Sequence, residues 1–539
     1  MKAIQRLLLS LLVLTFLGCS PNETTSGLRF SLSFPQELVE GPLTGRMFVC
    51  IARDDEEEPR LQVGRYGVQV FGEDFENLSA GASVEISNET LGYPIEWLKY
   101  LPKGDYYVQA VVSKYTKFER ADGHTLWLHN DQWEGQNWRK SPGNLYSDVM
   151  KLTIDPSEDR TIELVTNNEI PPIEIPEDTE WVKRIKIQSD ILTEFWGQPM
   201  YLGATILLPK GYESNPDAYY PTIYQQGHFS LRPPLRFQED PENELYQSWT
   251  SDDFPRFLAV TIQHPTPYFD DSYAVNSVNN GPYGDAIHEE LIPKIEEEFR
   301  TISKPWARLL TGGSTGGWES FALQVFYPDF YGGTWSFAPD PLDFRNVEGI
   351  NVYEDKNAFY KEHEWYNVPI INTRNPETAE AVLTSEQRNR MELVNGTKGR
   401  SGQQLDIWSA VFGPIGEDGY FKPLFNKRTG EMDSTVAEYW KENYDLRYYL
   451  EQNWAEVGPK LVGKLHLITG HMDNFYLNQG VYHMEDFLES TENPYYDGTV
   501  TYGSKQKGHR WRPYSQAELV QKMAEHIENN MPAGTIERY

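Results

Sequence analysis

The residues with the clearest chemical potential lie in LLTGGSTGGWES (309–320), where Ser314 stands between two pairs of glycines. Gly312-Gly313-Ser314-Thr315-Gly316 fits G-x-S-x-G, a spacing that holds a serine on a strained strand-to-helix turn with its hydroxyl clear. The glycines follow from that turn, because side chains two residues to either side would collide with backbone. An apolar, strand-like ARLL precedes the motif and a helix-like GWESFALQVFY follows it. No lysine follows the serine as a phosphate-binding loop requires. The chemistry implied is attack of a hydroxyl on a carbonyl carbon.

A serine hydroxyl is a weak nucleophile until a histidine takes its proton and a carboxylate orients that histidine. On such an elbow the partners follow in the order serine, acid, histidine, on loops after later strands. KLHLITGHMDNFY places Asp473 just past a strand, and GTVTYGSKQKGHRW places His509 past the last one. Asp340 and Asp343, after GGTWSFA, compete for the acid role, and His471 and His526 for that of the base. Negative charge developing on the carbonyl oxygen also needs backbone N–H donors. Thr315, directly after the serine, and His228, after Gly227 in YPTIYQQGHFS, are the candidates for that oxyanion hole. His471, Asp473 and His228 are metal-ligating types, but no H-E-x-x-H or comparable ligand pair occurs, so neither a metal nor a cofactor is expected.

The elements that must position these residues can be read from periodicity. Between 27 and 166, LRFSLSF, RMFVCIA, YGVQVFG, ASVEIS, DYYVQAVV, DVMKLTI and RTIELV read as short strands with turns between them. They predict an all-β, immunoglobulin-like sandwich, with HTLWLHNDQWEGQNW as a long loop and Cys50 as a buried thiol on a strand. The proline-rich, acidic segment 167–180 reads as a linker. From 181 to 539 strands alternate with helical patterns, the signature of an α/β domain with a largely parallel sheet. The alternation lapses over about 346–460, which predicts a lid-like insertion containing a helix over TSEQRNRMELVNG, with Thr384 and Gln387 as its capping box. Asn276–Asp285 and the insertion's aromatics could line a polar cleft, or the aromatics could form the lid's own core.

Composition narrows the function classes. A formal net charge of -32 over 539 residues disfavours a nucleic-acid partner or an anionic membrane surface, which need basic patches. Two cysteines exclude a disulfide framework. The basic start and the apolar run LLLSLLVLTFLG read as a signal peptide over residues 1–18. FLGCS resembles a lipoprotein lipobox, with Phe16 where leucine is usual. That resemblance implies lipidation of Cys19 and a place in the bacterial cell envelope, at the outer membrane or cell surface, with the membrane engaged only through this anchor.

From about Trp181 onward the chain resembles the putative esterase family of α/β hydrolases, which includes esterase D, feruloyl and acetylxylan esterases and enterochelin esterase. The resemblance is carried by YLGATILLPKGY, YPTIYQQGH, EELIPKIEEEFRT, TGGSTGGWESFALQVFYPDFYGG and the Asp473 and His509 loops. It implies a Ser314–Asp473–His509 acyl-transfer mechanism on an α/β-hydrolase fold with a lid-like insertion. The insertion and the QGHF loop, where many relatives have a glycine-rich H-G run, depart from the family pattern. The expected partner is an ester substrate, and an acetyl or feruloyl ester on a polysaccharide suits the family and the location. A silent glycan- or peptide-binding lipoprotein on a hydrolase fold and a serine peptidase are the alternatives.

Overall fold

The structure is a computed structural model that describes residues 27–533 and 535. The signal peptide and Cys19 lie outside the described residues. Among those described, no helix is long and apolar enough to cross a membrane.

An eight-stranded sheet organises the second half of the chain. Its strands are β1 (Val182–Ser189), β2 (Met200–Leu207), β3 (Thr222–Gln226), β4 (Leu258–Gln263), β5 (Arg308–Gly313), β6 (Gly333–Phe337), β7 (Leu465–Gly470) and β8 (Thr499–Gly503). They lie in the order β1-β2-β4-β3-β5-β6-β7-β8. β2 runs antiparallel to β1 and β4, and every pairing from β4 to β8 is parallel. The central strands are buried on both faces because both are covered: β4 buries every residue. Side chains alternate between two cores. Leu310, Tyr224 and Val260 join Trp318 and Phe321 of the helix Thr315–Phe326. Leu309, Ile223 and Ala259 join Val520, Met523 and Ile527 of the C-terminal helix Gln516–Asn530. This is the mixed α/β, hydrolase-type architecture that the alternating sequence pattern predicts.

The N-terminal region is a β domain built as two layers. Arg29–Ser33 lies between Thr161–Val165 and Val84–Ile86 in one sheet. Leu43–Ala52, Gln69–Leu78 and Gly104–Lys114 form the centre of the other. Phe30, Leu32, Ile86, Ile162 and Leu164 of the first layer pack on Met47, Val49, Phe71, Val108 and Val112 of the second. Cys50 is fully buried on the strand Leu43–Ala52, and desolvation pushes its thiol pKa up to about 12.

Three details differ from the sequence reading. The Trp-rich segment is not all loop: Thr125–Leu128 pairs with Thr116–Glu119 as a hairpin. Phe118, Leu126 and Leu128 of this hairpin enter the core of the α/β domain, where Phe118 meets Trp196 edge-on at 5.2 Å. Alternation within a hairpin is weak evidence when its apolar face docks on another domain. Second, the segment read as a linker begins in structure, because Asn168–Glu169 pairs with Leu145–Tyr146 and Ile170 is buried. Third, the helix Leu446–Leu461 packs on the helix Thr315–Phe326 through Tyr449 and Phe326, 5.2 Å apart. It belongs to the α/β layers, so the insertion proper ends at Asp445. That residue caps the helix by accepting from Tyr448 N, and it ties back the insertion's start by accepting from Phe344 N at 2.8 Å.

Inside the insertion, the helix Ser385–Asn395 starts at the Thr384–Gln387 capping box. The aromatics of the following helices are lid core: Phe412 contacts Trp318, Trp440 and Tyr444. Most of Asn276–Asp285 is buried, with Asn276 and Val278 exposed. Asn279 is buried and donates to Ala410 O and Gly413 O, fastening the insertion to the α/β domain.

Candidate active site

β5 ends at Gly313 and the next helix begins at Thr315, which leaves Ser314 on the turn with φ 60° and ψ -123°. A residue with a Cβ is strained in that conformation, and such strain collects at functional sites. The surrounding glycines show why the turn needs them. A Cβ on Gly312 would stand 2.1 Å from Gly316 O, one on Gly316 2.1 Å from Gln226 O, and one on Gly317 2.9 Å from Phe337 O. At Gly313 the neighbour is the Arg512 guanidinium, 2.5 Å away. The ends of β3 and β6 therefore press directly on the elbow, and β3 delivers Gly227 and His228 beside it.

His509 and Asp473 meet in space from loops after β8 and β7. His509 Nδ1 lies 2.7 Å from Asp473 Oδ2, and Asp473 is fully buried. The other carboxylate oxygen is occupied by backbone: Asp473 Oδ1 accepts from Phe475 N at 2.8 Å and from Leu477 N at 3.3 Å. Both oxygens of the acid are thus assigned, and Nδ1–H facing a carboxylate leaves Nε2 as the basic nitrogen of His509. Asn474 Oδ1 accepts from His509 N, and Phe475 packs edge-on against the ring.

Asp340 stands closer to the serine than the sequence suggests. Ser314 Oγ donates to Asp340 Oδ1 at 3.4 Å. Asp340 Oδ2 accepts from Tyr273 Oη at 2.5 Å, from Thr315 Oγ1 at 3.0 Å and from Gln404 Nε2 at 3.0 Å. Trp408 Nε1 in turn donates to Tyr273 Oη. Burial raises the Asp340 pKa, while Tyr273, His228, Thr315 and His509 pull it back down. His509 is therefore within electrostatic reach of the carboxylate that holds the serine. Among the described residues the serine hydroxyl bonds to Asp340 rather than to His509, so proton transfer to His509 requires the hydroxyl to turn. Catalytic hydrogen bonds of this kind commonly close only around substrate.

His228 carries a second feature besides its backbone. Its Nδ1 lies 3.1 Å from Asp270 Oδ1 and 3.0 Å from Asp271 Oδ2. Desolvation opposes a charged ring, but the two carboxylates outweigh it and hold the pKa well above the usual histidine value. Glu319, buried in the elbow helix behind this group, is held well above the usual carboxylate range by burial and then by Asp271.

The remaining candidates sit elsewhere. Asp343 is buried between Arg345 and Arg447, joining the insertion to the helix Leu446–Leu461. His471 bonds to Tyr482 Oη and stacks on Tyr502. His526 packs on Trp335 and bonds to Gly332 O. Periodicity and motif spacing missed Tyr273, Gln404 and Trp408, because their relation to Asp340 depends on how the insertion folds back. Only a polar residue in a run such as SGQQLDIW hinted at it.

Residues 200–409 match the model of a family described as putative esterase. The match includes Ser314, His228 and Asp340 and stops before Asp473 and His509, which follow β7 and β8 of the same sheet. Solved structures with similarity include a ferulic acid esterase at 13% identity, covering 65% of this chain and 98% of that one, with a TM-score of 0.38. An S-formylglutathione hydrolase from Agrobacterium tumefaciens aligns at 12% identity over 66% of this chain and 98% of its own, with a TM-score of 0.35. A ferulic acid esterase of the anaerobic fungus Anaeromyces mucronatus aligns at 15% identity, covering 66% and 94%, with a TM-score of 0.31. No curated protein matches the chain.

Proposed function

From the premise that the α/β domain of this chain belongs to the putative esterase family, we propose that the protein is a serine esterase anchored in the bacterial envelope by lipid on Cys19. Carboxylic ester hydrolysis is the chemistry that family membership carries. In the proposed cycle Ser314 Oγ attacks the ester carbonyl as His509 Nε2 takes its proton. The amides of Thr315 and His228 hold the oxyanion, and His509 returns the proton to the leaving alcohol. Water, deprotonated by the same imidazole, then releases the acyl group from Ser314. Asp473 keeps the imidazole in the tautomer that can accept at Nε2. Acetyl or feruloyl esters on polysaccharides are the substrates this reading favours.

The observation that carries the proposal is the 2.7 Å His509–Asp473 pair on the loops after β7 and β8, parallel to the β5 that delivers a serine at φ 60°. Hydrolysis of p-nitrophenyl acetate by the wild type and by Ser314→Ala tests it, with a loss of about a thousandfold or more expected in the variant. Equal inactivity of both, with glycan binding retained, would instead establish a binding protein. An ester and an amide of one acid, offered together, separate an esterase from a peptidase. Labelled palmitate should enter the wild type and not Cys19→Ser.

A further inference from the structure

The spaces beside His228 and beside His509 are partly enclosed by the β domain. A cavity of about 500 Å³ is bounded by His228 and Asp270, by Arg388 and Gln404 of the insertion, and by Arg65 and Arg139 of the β domain. A neighbouring cavity of about 680 Å³ is lined by His509, Phe475 and again Arg65. Arg65, from a loop of the N-terminal domain, is thus common to the space beside His228 and the space beside His509.

The charges around these cavities are unusual for this chain. Acidic residues outnumber basic ones by 80 to 48, yet the first cavity has three arginines on its walls and one carboxylate, Asp270, already paired with His228. Arg139 is occupied within its own domain, donating to Asn137 Oδ1 and Val63 O. Arg388 is 3% exposed in its side chain, reaches Glu392 only at 3.4 Å, and leaves its Nε without a partner. Arg65 has no carboxylate within ion-pair distance among the described residues, and its guanidinium rests over Phe475, 4.9 Å from the ring centre. The buried Glu348 is shared between Arg388 and Arg65, and Arg388 has Glu392 besides, which leaves Arg65 the less compensated of the two. Arg65, half-buried and with no carboxylate within ion-pair distance among the described residues, faces both cavities, and a carboxylate on a ligand would supply the anion it lacks. The chain's net negative charge disfavours an anionic ligand where no uncompensated basic group faces it.

We propose that the substrate of this esterase carries a carboxylate, and that Arg65 is the specificity-determining residue that grips it, with Arg388 behind. This rests on the serine-esterase reading above. A planar guanidinium fork suits a carboxylate in two parallel hydrogen bonds, which lysine cannot reproduce. The carboxylate could belong to either half of the ester: a dicarboxylic acyl group, or an alcohol in which a uronic acid adjoins the acylated sugar.

Two substrate pairs distinguish these sources. The acyl arm compares p-nitrophenyl hemisuccinate with p-nitrophenyl butyrate. The alcohol arm compares acetylated xylo-oligosaccharides with and without a glucuronate branch. The wild type should prefer the charged member of one pair by about ten- to a hundredfold in kcat/KM, mostly through KM. Arg65→Gln should bring that charged-to-neutral ratio close to one, and Arg65→Lys should leave it in between. A wild-type ratio near one in both arms would overturn the proposal, as would Arg65→Gln with the ratio intact. The wild-type ratios decide the matter even if the variant fails to fold. Hydrolysis of the neutral esters that depends on Ser314 would leave the esterase reading standing in either case.

Discussion

Replacing Asp473 by asparagine removes one charge and almost no volume, and the fold dictates how the new amide must sit. Phe475 N and Leu477 N both donate to Asp473 Oδ1, so the amide oxygen of the introduced side chain has to take that position. Its NH2 group then points at His509 Nδ1 from where Oδ2 stood, 2.7 Å away. A donor there forces Nδ1 to accept, which moves the ring proton to Nε2, the nitrogen that must receive the serine proton. The imidazole would be correctly placed and in the wrong tautomer. A tautomer error of this kind costs about 10⁴ in kcat, equivalent to about 5.4 kcal/mol of transition-state stabilisation. Asp340→Asn makes the matching comparison. Its donors Tyr273, Thr315 and Gln404 would lose a charged acceptor, and Ser314 would lose its 3.4 Å contact, but His509 would keep its tautomer. A fall of about tenfold is expected there, as for loss of a hydrogen bond to a charged group. Initial rates with p-nitrophenyl acetate, on variants whose circular dichroism and melting match the wild type, measure both. Asp473→Asn with more than a tenth of wild-type kcat would refute the reasoning, and a collapse confined to Asp340→Asn would transfer the acid role to Asp340.

Gly316→Ala puts a Cβ 2.1 Å from Gln226 O, so the elbow and the end of β3 must part by about 1 Å. A displacement of that size at reacting groups costs about a hundredfold in kcat, and a wild-type kcat would show that the close approach is unnecessary. Burial raises the Glu348 pKa to about 7 against an ordinary 4.5, with Arg388 and Arg65 opposing the shift. The folded state therefore binds the proton more tightly, and stability falls as pH rises from about 4.5 to 7. Between pH 5 and 8 the wild type should lose about 2 to 3 kcal/mol relative to Glu348→Gln in denaturant unfolding, and parallel profiles would contradict this.

The elbow was legible because its constraints are local. A strand, a tight turn and a helix must follow one another within a dozen residues, and each close backbone approach leaves a glycine in the sequence. Asp473 and His509 were legible for a related reason, since each follows a strand whose apolar run marks it. The fold class came from alternation, which is strong where β4 and β5 are buried on both faces. The Asp340 network was not legible. Asp340 could be noted as an acid near the right strand, but its donors Tyr273, Gln404 and Trp408 lie far from it in sequence. The end of the insertion does not show in the sequence, because nothing in the pattern around Tyr444-Asp445-Leu446 marks a break, whereas the backbone turns at Asp445 to free its side chain for capping.

The role of the sandwich was the least visible, and its contacts argue that it is part of the hydrolase rather than a detachable module. Arg46 donates to Val394 O, Trp138 Nε1 donates to Asn395 Oδ1, and Arg400 pairs with Asp74 at 2.8 Å. All three bonds hold the stretch of insertion that runs from the helix Ser385–Asn395 toward Gln404. Because Gln404 bonds to Asp340, and Asp340 to Ser314, the β domain braces the far side of the serine's surroundings. Its loop at Arg65 reaches the same crevice from outside. None of these contacts has a sequence period, because each joins side chains of two separately patterned domains. Selection of substrate and positioning of the serine therefore share one physical support, the interface between sandwich and insertion.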